Sequence, residues 1–412
     1  MEFYHWKNGQ IHFGEYSTQA LIKKYGSPLY IYDENTIRTR CKQLIALCPL
    51  PNFRVYYSAK ANTSVAILKI IKDEGLKVDA MSPGEIFLEK QAGFESKDIL
   101  FVSNNVSKEG FLEVIDHDVK VCLDSISQME TYFKINPKSE VIIRLNLGGG
   151  AGHHQKVVTA GKVKFGIEKD RIDSAFKVAD KYQAKITGFH VHIGSFFLQG
   201  DAYLESVANL LKLAEKYPSI NYLDFGGGFG VPYDRLTQKE FPLDDFSKSF
   251  TKLVSNWSKK NNRNPTFAIE PGRFVTAESG VCLTGVNAVK TNSDVKFIGT
   301  DLGFNLFLRP EMYGAYHEII NATNQDLSIT EKQSVVGNIC ESGDYLGQDR
   351  DLPLTKEKDI MLIRDTGAYG FSMSGNYNSI KRPAELLLDS SGKIKLIRKR
   401  ETDQDLLKNQ IF

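Results

Sequence analysis

Residues 53–62, Phe53-Arg54-Val55-Tyr56-Tyr57-Ser58-Ala59-Lys60-Ala61-Asn62, begin as a strand and end as a turn. The opening is aromatic and β-branched, and Pro51-Asn52 ahead of it is a turn signal. Ser64 to Asp73 then reads as a helix, which leaves Lys60 at the carboxyl end of a strand. A lysine there is most often a solvated loop residue. Apolar strand-like runs recur at Pro28–Tyr32, Lys77–Ala80, Ile99–Val102 and Lys120–Asp124, then at Val141–Leu145, Gly188–Ile193, Tyr222–Phe225 and Thr266–Glu270. Amphipathic stretches lie between several of them. Asp201 to Lys216, for example, carries Leu204, Val207, Leu210, Leu211 and Ala214 on one helix face.

Alternation of strand and helix requires parallel strands joined by crossover helices. Roughly eight such units over about 250 residues predict a closed (β/α)8, TIM-like barrel rather than an open sheet. After residue 285 short strands replace long helices: Val286–Lys290, Val295–Asp301, Gln333–Gly337, Ile360–Arg364 and Ala384–Asp389. The expectation is an α/β chain with the barrel at 33–280 and a mostly β second domain at 281–412. Residues 1–32 are assigned to the second domain, with Ile11-His12-Phe13 or Leu29-Tyr30-Ile31-Tyr32 as a strand for it. The charged tail from Lys395 to Phe412 is expected to fray.

The 412 residues are 42% hydrophobic and 25% charged, with a net charge of +2. That balance gives no reason to propose nucleic acid or a membrane surface as a partner. The first thirty residues hold charges throughout and no apolar core of signal-peptide length, and no run is long and apolar enough to span a bilayer. The five cysteines are scattered, with no CxxC pair, so neither a disulfide framework nor a zinc site is expected. A reducing, cytoplasmic setting suits that usage.

Later segments change the reading of Lys60. Gly226-Gly227-Gly228 follows the Tyr222–Phe225 strand; glycines there bring backbone N–H groups close to a phosphate, although a plain tight turn is the commoner cause. Glu270-Pro271-Gly272-Arg273 puts a carboxylate at another strand end, where it either meets a heterocyclic cation or pairs with Arg273. His190 and His192 fall on one face of a strand. No third ligand lies near them in sequence, so a ring stacked on a flat cofactor, or a core histidine, is preferred to a metal. Cys340-Glu341 opens a polar run in the second domain, and Asp365-Thr366-Gly367-Ala368-Tyr369-Gly370 is a loop that presents a tyrosine. Arg309, Tyr313 and His317 recur at spacings of four, as on one helix face, with Pro310 disturbing the first turn.

Taken in order, these segments resemble the fold-type-III pyridoxal-phosphate-dependent decarboxylases over nearly the whole chain. The matching stretches are Tyr57–Asn62, His190–Ser195, Gly226–Gly230, Glu270–Arg273, Arg309–His317, Cys340–Gly347 and Tyr369–Asn378. Cys340–Asp344 together with Arg309 and Tyr313 resembles the branch that decarboxylates meso-2,6-diaminopimelate to L-lysine and carbon dioxide, the last step of lysine biosynthesis. The resemblance implies that Lys60 holds pyridoxal 5'-phosphate as a Schiff base, supported by Asp79. It implies that Glu270 pairs with the ring nitrogen and that His192 stacks on the ring. Ser195, Gly227, Gly228, Gly272 and Arg273 would bind the phosphate, with Tyr369 reaching it from the second domain. Cys340 is the implied proton donor; thiols in general ionise at about pH 8.5, within reach of neutrality. Arg273, Arg309 and Tyr313 would clamp the substrate's remote carboxylate, and Glu341, near Tyr369, its remote amine. Arginine suits a carboxylate because its planar fork donates two parallel hydrogen bonds. The resemblance further implies a homodimer with Cys340 donated across the interface, and no metal.

Residues 147–162, Leu147-Gly148-Gly149-Gly150 onward, depart from the family pattern until Lys164-Phe165-Gly166 restores it. His153 and His154 in that stretch are read as solvated loop residues rather than substrate contacts. Rival readings are a decarboxylase of the same fold acting on carboxynorspermidine or a siderophore precursor, an alanine-racemase-like enzyme, and a non-catalytic cofactor-binding homologue. Arg309, Tyr313 and Glu341 oppose the first. A carboxylate rather than an arginine at the ring nitrogen opposes the second, and retention of Lys60 and Cys340 opposes the third.

Overall fold

The computed structural model describes residues 3–150, 158–326 and 328–411. Eight parallel strands close into a barrel: β1 (Phe53–Ser58), β2 (Lys77–Ala80), β3 (Ile99–Val102), β4 (Lys120–Leu123), β5 (Glu140–Asn146), β6 (Lys185–Val191), β7 (Tyr222–Asp224) and β8 (Thr266–Ile269). Each pairs with its neighbour in chain order, and β8 returns to β1 through Phe267 opposite Phe53. Closure removes every free strand edge, so the backbone polar groups of the strands are satisfied all round. Inside, Tyr56, Leu100, Cys122, Ile142, Tyr222 and Ala268 form one buried cluster drawn from six strands. Each large apolar side chain withdrawn from water in this way contributes about 1.5–3 kcal/mol.

The helices form where the sequence supplies a face and a stop. Helix α1 (Val65–Asp73) buries Ile67, Leu68, Ile70 and Ile71. Helix α2 (Pro83–Ala92) starts with Ser82 accepting from Glu85 N and with proline in its first turn, and ends on the left-handed Gly93. Helix α3 (Asp201–Ala214) buries Val207, Leu210, Leu211 and Ala214, four of the five residues the periodicity placed on one face.

The chain divides into two compact units, one of residues 38–232 and 239–275 and the other of 1–37, 233–238 and 276–412. The second unit is built on strands β9 (Gly280–Asn292), β10 (Val295–Thr300), β11 (Thr330–Val336), β12 (Tyr345–Pro353), β13 (Ile360–Ile363) and β14 (Ala384–Leu388). The strand Leu29–Asp33 lies in this unit. It lies between β9, antiparallel, and β14, parallel, and all five of its residues are buried. Leu29, Ile31, Val281, Leu283, Leu362, Leu386 and Leu388 make the core beneath it, joined by Ile11 and Phe13 from the amino-terminal hairpin. Segment 233–238 is held in this unit by Arg235, which donates to both oxygens of Asp365 at 2.6 and 3.0 Å and to Glu278 at 3.2 Å.

The tail is more ordered than its charge suggested. Ile394–Arg398 pairs with β14, and Asp403–Leu407 is a short helix whose capping box joins Thr402 and Asp405. A reciprocal pair of caps satisfies two of the orphan donors of a helix start, which offsets the poor hydrophobicity of the segment.

Candidate active site

Every barrel residue singled out from the sequence, other than those of the 147–162 stretch, lies at or just beyond the carboxyl end of a strand, where barrel loops gather side chains. After β1 the chain makes a single 3-10 turn, Ala59–Ala61, closed by Asn62 N donating to Ala59 O at 2.9 Å. Tyr57 OH donates to Asn62 O at 3.2 Å, and Asn62 Oδ1 accepts from Ser64 N at 3.0 Å. This buried turn leaves Lys60 half-buried at the strand end. On β2, Asp79 accepts from Ser58 Oγ at 2.6 Å, while its other oxygen has no partner among the described residues. Burial, and next the charge of Glu270, push the Asp79 carboxyl well above its usual range; Lys60 pulls the other way.

Glu270, beyond β8, is 6% exposed and His190, on β6, is wholly buried. Glu270 Oε2 lies 3.0 Å from His190 Nε2, and Oε1 has no partner among the described residues. Burial lowers the His190 pKa, so the ring is neutral at pH 7 and Nε2–H is the donor. Burial alone would raise Glu270; the His190 ring, Lys60 and Arg144 more than offset it, and the carboxyl is held below its usual value. The site therefore keeps one buried carboxylate anionic with one oxygen uncommitted.

His192 Nδ1 accepts from Gly227 N at 3.2 Å, which fixes its tautomer with the proton on Nε2. Burial, then Arg144 and Lys60, hold its pKa well below the usual value, so this ring too is neutral. Gly227 and Gly228 are glycines by necessity. A Cβ on Gly227 would strike the Glu270 carbonyl oxygen, and one on Gly228, whose φ is +115°, would strike the Phe197 ring. Asp224 Oδ1 secures the turn by accepting from Gly226 N at 2.9 Å. Arg273 donates to Ser195 Oγ at 3.1 Å and lies 5.8 Å from the Phe196 ring centroid. Gly272 packs on Ser58 and Ala61, so the Glu270–Arg273 turn abuts the Lys60 turn.

Three residues here escaped the sequence reading in their roles. The sequence suggests a core or ring-stacking histidine at His190, and the structure makes it the partner of Glu270. Arg144, on β5, is 5% exposed, and its Nη2 has no partner among the described residues. Glu85, on α2, accepts from Met81 N at 2.6 Å and feels the charge of Lys60. An arginine inside the strand Val141-Ile142-Ile143-Arg144-Leu145 was the available signal, since a charge in an otherwise apolar barrel strand needs a reason. His190, Asp224 and Glu270 also bring one ligand atom each within 4.8 Å of one another. Asp224 already accepts from Gly226 N and Tyr222 OH, and burial followed by the Glu270 charge pushes its pKa well above the usual value. Within the trio, His190 and Glu270 are bonded to each other, while Asp224 is bonded to Gly226 and Tyr222 instead.

These features fit pyridoxal phosphate. An ionised carboxylate with an orphaned oxygen suits a protonated ring nitrogen, a neutral imidazole suits a ring face, and a cradle that admits no Cβ beside a serine and an arginine suits a phosphate.

In the second unit, helix α4 (Arg309–Tyr313) begins with Pro310 in its first turn and ends at the left-handed Gly314, φ +59°. The four-residue spacing therefore does not extend along a helix to His317, as the sequence suggested. His317 returns by another route: Arg309 Nε donates to its Nε2 at 3.1 Å, and its Nδ1 donates to Arg364 O at 2.8 Å. Arg309 is 1% exposed and lies 4.8 Å from the Tyr233 ring centroid. Tyr313 is half-buried at the far end of the same turn of helix. Tyr369 is half-buried with φ +58°, a conformation costly for an aromatic residue and typical of functional loops. Cys340 and Glu341 are exposed, and the other four cysteines are buried. His153 and His154 lie outside the described residues; Asn146 Oδ1 accepts from Gly148 N at 3.2 Å and from Gly161 N at 2.8 Å.

Residues 34–277 match the family described as pyridoxal-dependent decarboxylase, pyridoxal binding domain. The diaminopimelate decarboxylase of Methanothermobacter thermautotrophicus is 38% identical over 98% of this chain and 96% of its own length. That of Escherichia coli K12 is 32% identical over 94% of each. The crystal structure of diaminopimelate decarboxylase from Methanocaldococcus jannaschii in complex with L-lysine superposes with a TM-score of 0.90 at 30% identity, covering 100% of this chain and 98% of that one.

Proposed function

Since the chain belongs to the pyridoxal-dependent decarboxylase family, as a full-length relative of the diaminopimelate decarboxylases, we propose how its own residues divide the work of that chemistry. Its cofactor is pyridoxal 5'-phosphate, and its reaction is the decarboxylation of meso-2,6-diaminopimelate to L-lysine and carbon dioxide. When bound, the cofactor supplies a sink for the electron pair that departing carbon dioxide leaves on the substrate's α-carbon.

Lys60 is the residue that would hold the cofactor covalently through Nζ, with Asp79 in support. Glu270 would keep a proton on the ring nitrogen through Oε1, while His190 holds the carboxylate in place through Oε2. His192 would meet the ring face as a neutral imidazole. Ser195, Gly227, Gly228, Gly272 and Arg273 take the phosphate, with Tyr369. The Cys340 thiol delivers the proton that the α-carbon needs. Arg273, Arg309 and Tyr313 bind the remote carboxylate of the substrate; Glu341 and Tyr369 bind its remote amine. A substrate lacking that carboxylate would leave arginine donors unmet, at a cost of roughly 1–3 kcal/mol per group, which disfavours ornithine and lysine.

No helix among the described residues is long and apolar enough to cross a membrane. We place the enzyme in the cytoplasm, as a homodimer in which Cys340 and Glu341 serve the site of the other copy. Their exposure on the isolated chain supports that arrangement.

The single observation that carries the reading is the Glu270 carboxylate, buried, anionic and with one oxygen uncommitted. The test is carbon dioxide release from meso-diaminopimelate with stoichiometric detection of L-lysine, beside carboxynorspermidine, ornithine and lysine. Preference for any of the last three over meso-diaminopimelate would reject the substrate assignment and leave the reaction class standing.

A further inference from the structure

One short turn in the second unit holds both of the exposed residues to which the reading above gives chemistry. Tyr377 OH donates to Glu341 Oε1 at 2.7 Å, and Asn378 Nδ2 donates to Cys340 Sγ at 3.2 Å. Two adjacent side chains thus engage two adjacent side chains on another loop. Both loops are built stiffly enough for the contact to mean something. Asp344, 4% exposed, accepts from Phe304 N at 2.7 Å and Ile339 N at 2.8 Å, and its own N–H reaches Glu341 O at 3.2 Å, so the 339–344 loop is tied at both ends. On the facing side, Asn305 Nδ2 donates to Tyr377 O at 3.3 Å and Gly375 N donates to Asn305 O at 2.8 Å. The Tyr377 ring stacks on Phe304 at 5.9 Å with planes 27° apart. Asn378 and Ser379 both adopt left-handed backbone, at φ +57° and +55°, which bends the chain sharply just after Tyr377. Phe304 is common to both anchors: its backbone holds Asp344 and its ring carries Tyr377.

We infer that Tyr377 and Asn378 are positioning residues for Glu341 and Cys340, the first setting the acceptor of the substrate's remote amine and the second the proton donor. The inference rests on the roles proposed above for Cys340 and Glu341. The chemistry of each contact suits its task. A phenol donating to one carboxylate oxygen leaves the other oriented for an ammonium group, and it removes rotamers that binding would otherwise have to freeze. A carboxamide N–H directed at sulfur stabilises the thiolate that remains once the S–H bond has broken and the proton has passed to carbon. Burdens fall on different kinetic constants, because one contact acts on substrate binding and the other on proton delivery.

The experiment uses the holoenzyme with meso-diaminopimelate and four variants: Tyr377→Phe, Asn378→Ala, Asn378→Asp and the reference Glu341→Gln. Tyr377→Phe keeps the stacked ring and is expected to raise KM about tenfold with kcat within about twofold, the size of one lost hydrogen bond to a charged group. Asn378→Ala is expected to lower kcat with little change in KM. Asn378→Asp is isosteric but cannot donate and repels a thiolate, so it is expected to be slower than Asn378→Ala. A merely structural role predicts the reverse order, since aspartate fills the space and alanine does not. Unchanged bound-cofactor absorbance and thermal midpoint show that each variant is folded. An unaltered KM in Tyr377→Phe, with KM raised in Glu341→Gln, overturns the role of Tyr377. Asn378→Asp as active as Asn378→Ala or better overturns the role of Asn378. An unaltered KM in Glu341→Gln removes the reading of Glu341 and the role of Tyr377 with it.

Discussion

His190 donates through Nε2 to Glu270 Oε2 over 3.0 Å, with both side chains withdrawn from water. A carboxylate so buried would ordinarily take up a proton. The imidazole N–H, with the charges of Lys60 and Arg144, keeps it anionic instead. His190→Leu removes that donor and is expected to weaken cofactor binding by about tenfold or more, whereas His190→Gln, which retains an N–H near the same point, should recover most of it. Titration of the apoenzyme with pyridoxal phosphate, followed by absorbance, measures both; equal binding in the wild type and His190→Leu would show the contact to be passive.

Lys60→Ala deletes the only amine on the turn that follows β1. The expected result is loss of the covalently bound cofactor, seen as loss of its absorbance after gel filtration, together with loss of lysine formation. Normal turnover in this variant would remove Lys60 from the mechanism.

Cys340→Ala is expected to leave cofactor absorbance intact while turnover falls by about 10²–10⁴, the range for loss of a positioned proton donor. The comparison is informative because Cys340 is the exposed thiol and the other four are buried. Unchanged kcat would reassign the donor.

Glu89, on α2, is fully buried and neither of its carboxyl oxygens has a partner among the described residues. Burial, then Glu85, pushes its pKa up to about 8 from the usual 4.5. The folded chain thus retains a proton that the unfolded chain releases above pH 4.5, so this group's stabilising contribution is complete below pH 4.5 and lost as pH rises toward 8. Glu89→Gln replaces the acid with a neutral isostere. Its melting temperature should exceed the wild type's by a few degrees at pH 8.5 and by much less at pH 5. An identical difference at the two pH values would refute the titration of Glu89.

The barrel was legible because its strands are apolar runs bounded by turns, and because hydrophobic spacing on stretches such as 201–216 announces a helix face. The strand Leu29–Asp33 shows the limit. Its hydrophobic run is like those of the barrel strands, and nothing local names its neighbours, which long-range pairing sets as β9 and β14. The same limit governs the site. Lys60, Glu270, His192 and the glycines of 226–228 stand out from motif and residue type. The bond from His190 to Glu270 spans 80 positions, and that from Tyr377 to Glu341 spans 36; neither separation leaves a mark in local sequence. His317 is intermediate: a spacing of four picked it out, but Gly314 ends the helix, and the contact with Arg309 is made through a loop.

The position of Leu29–Asp33 also bears on how the polypeptide is made. Its five residues leave the ribosome ahead of both neighbours: one flanking strand follows about 250 residues later and the other about 350 later. At 5–20 residues per second the segment waits on the order of 10–70 s for its neighbours. Throughout that interval Leu-Tyr-Ile-Tyr offers two unpaired edges to any other nascent chain. An exposed, aggregation-prone segment that is covered only once β9 and β14 have emerged is thus built into the order of the strands.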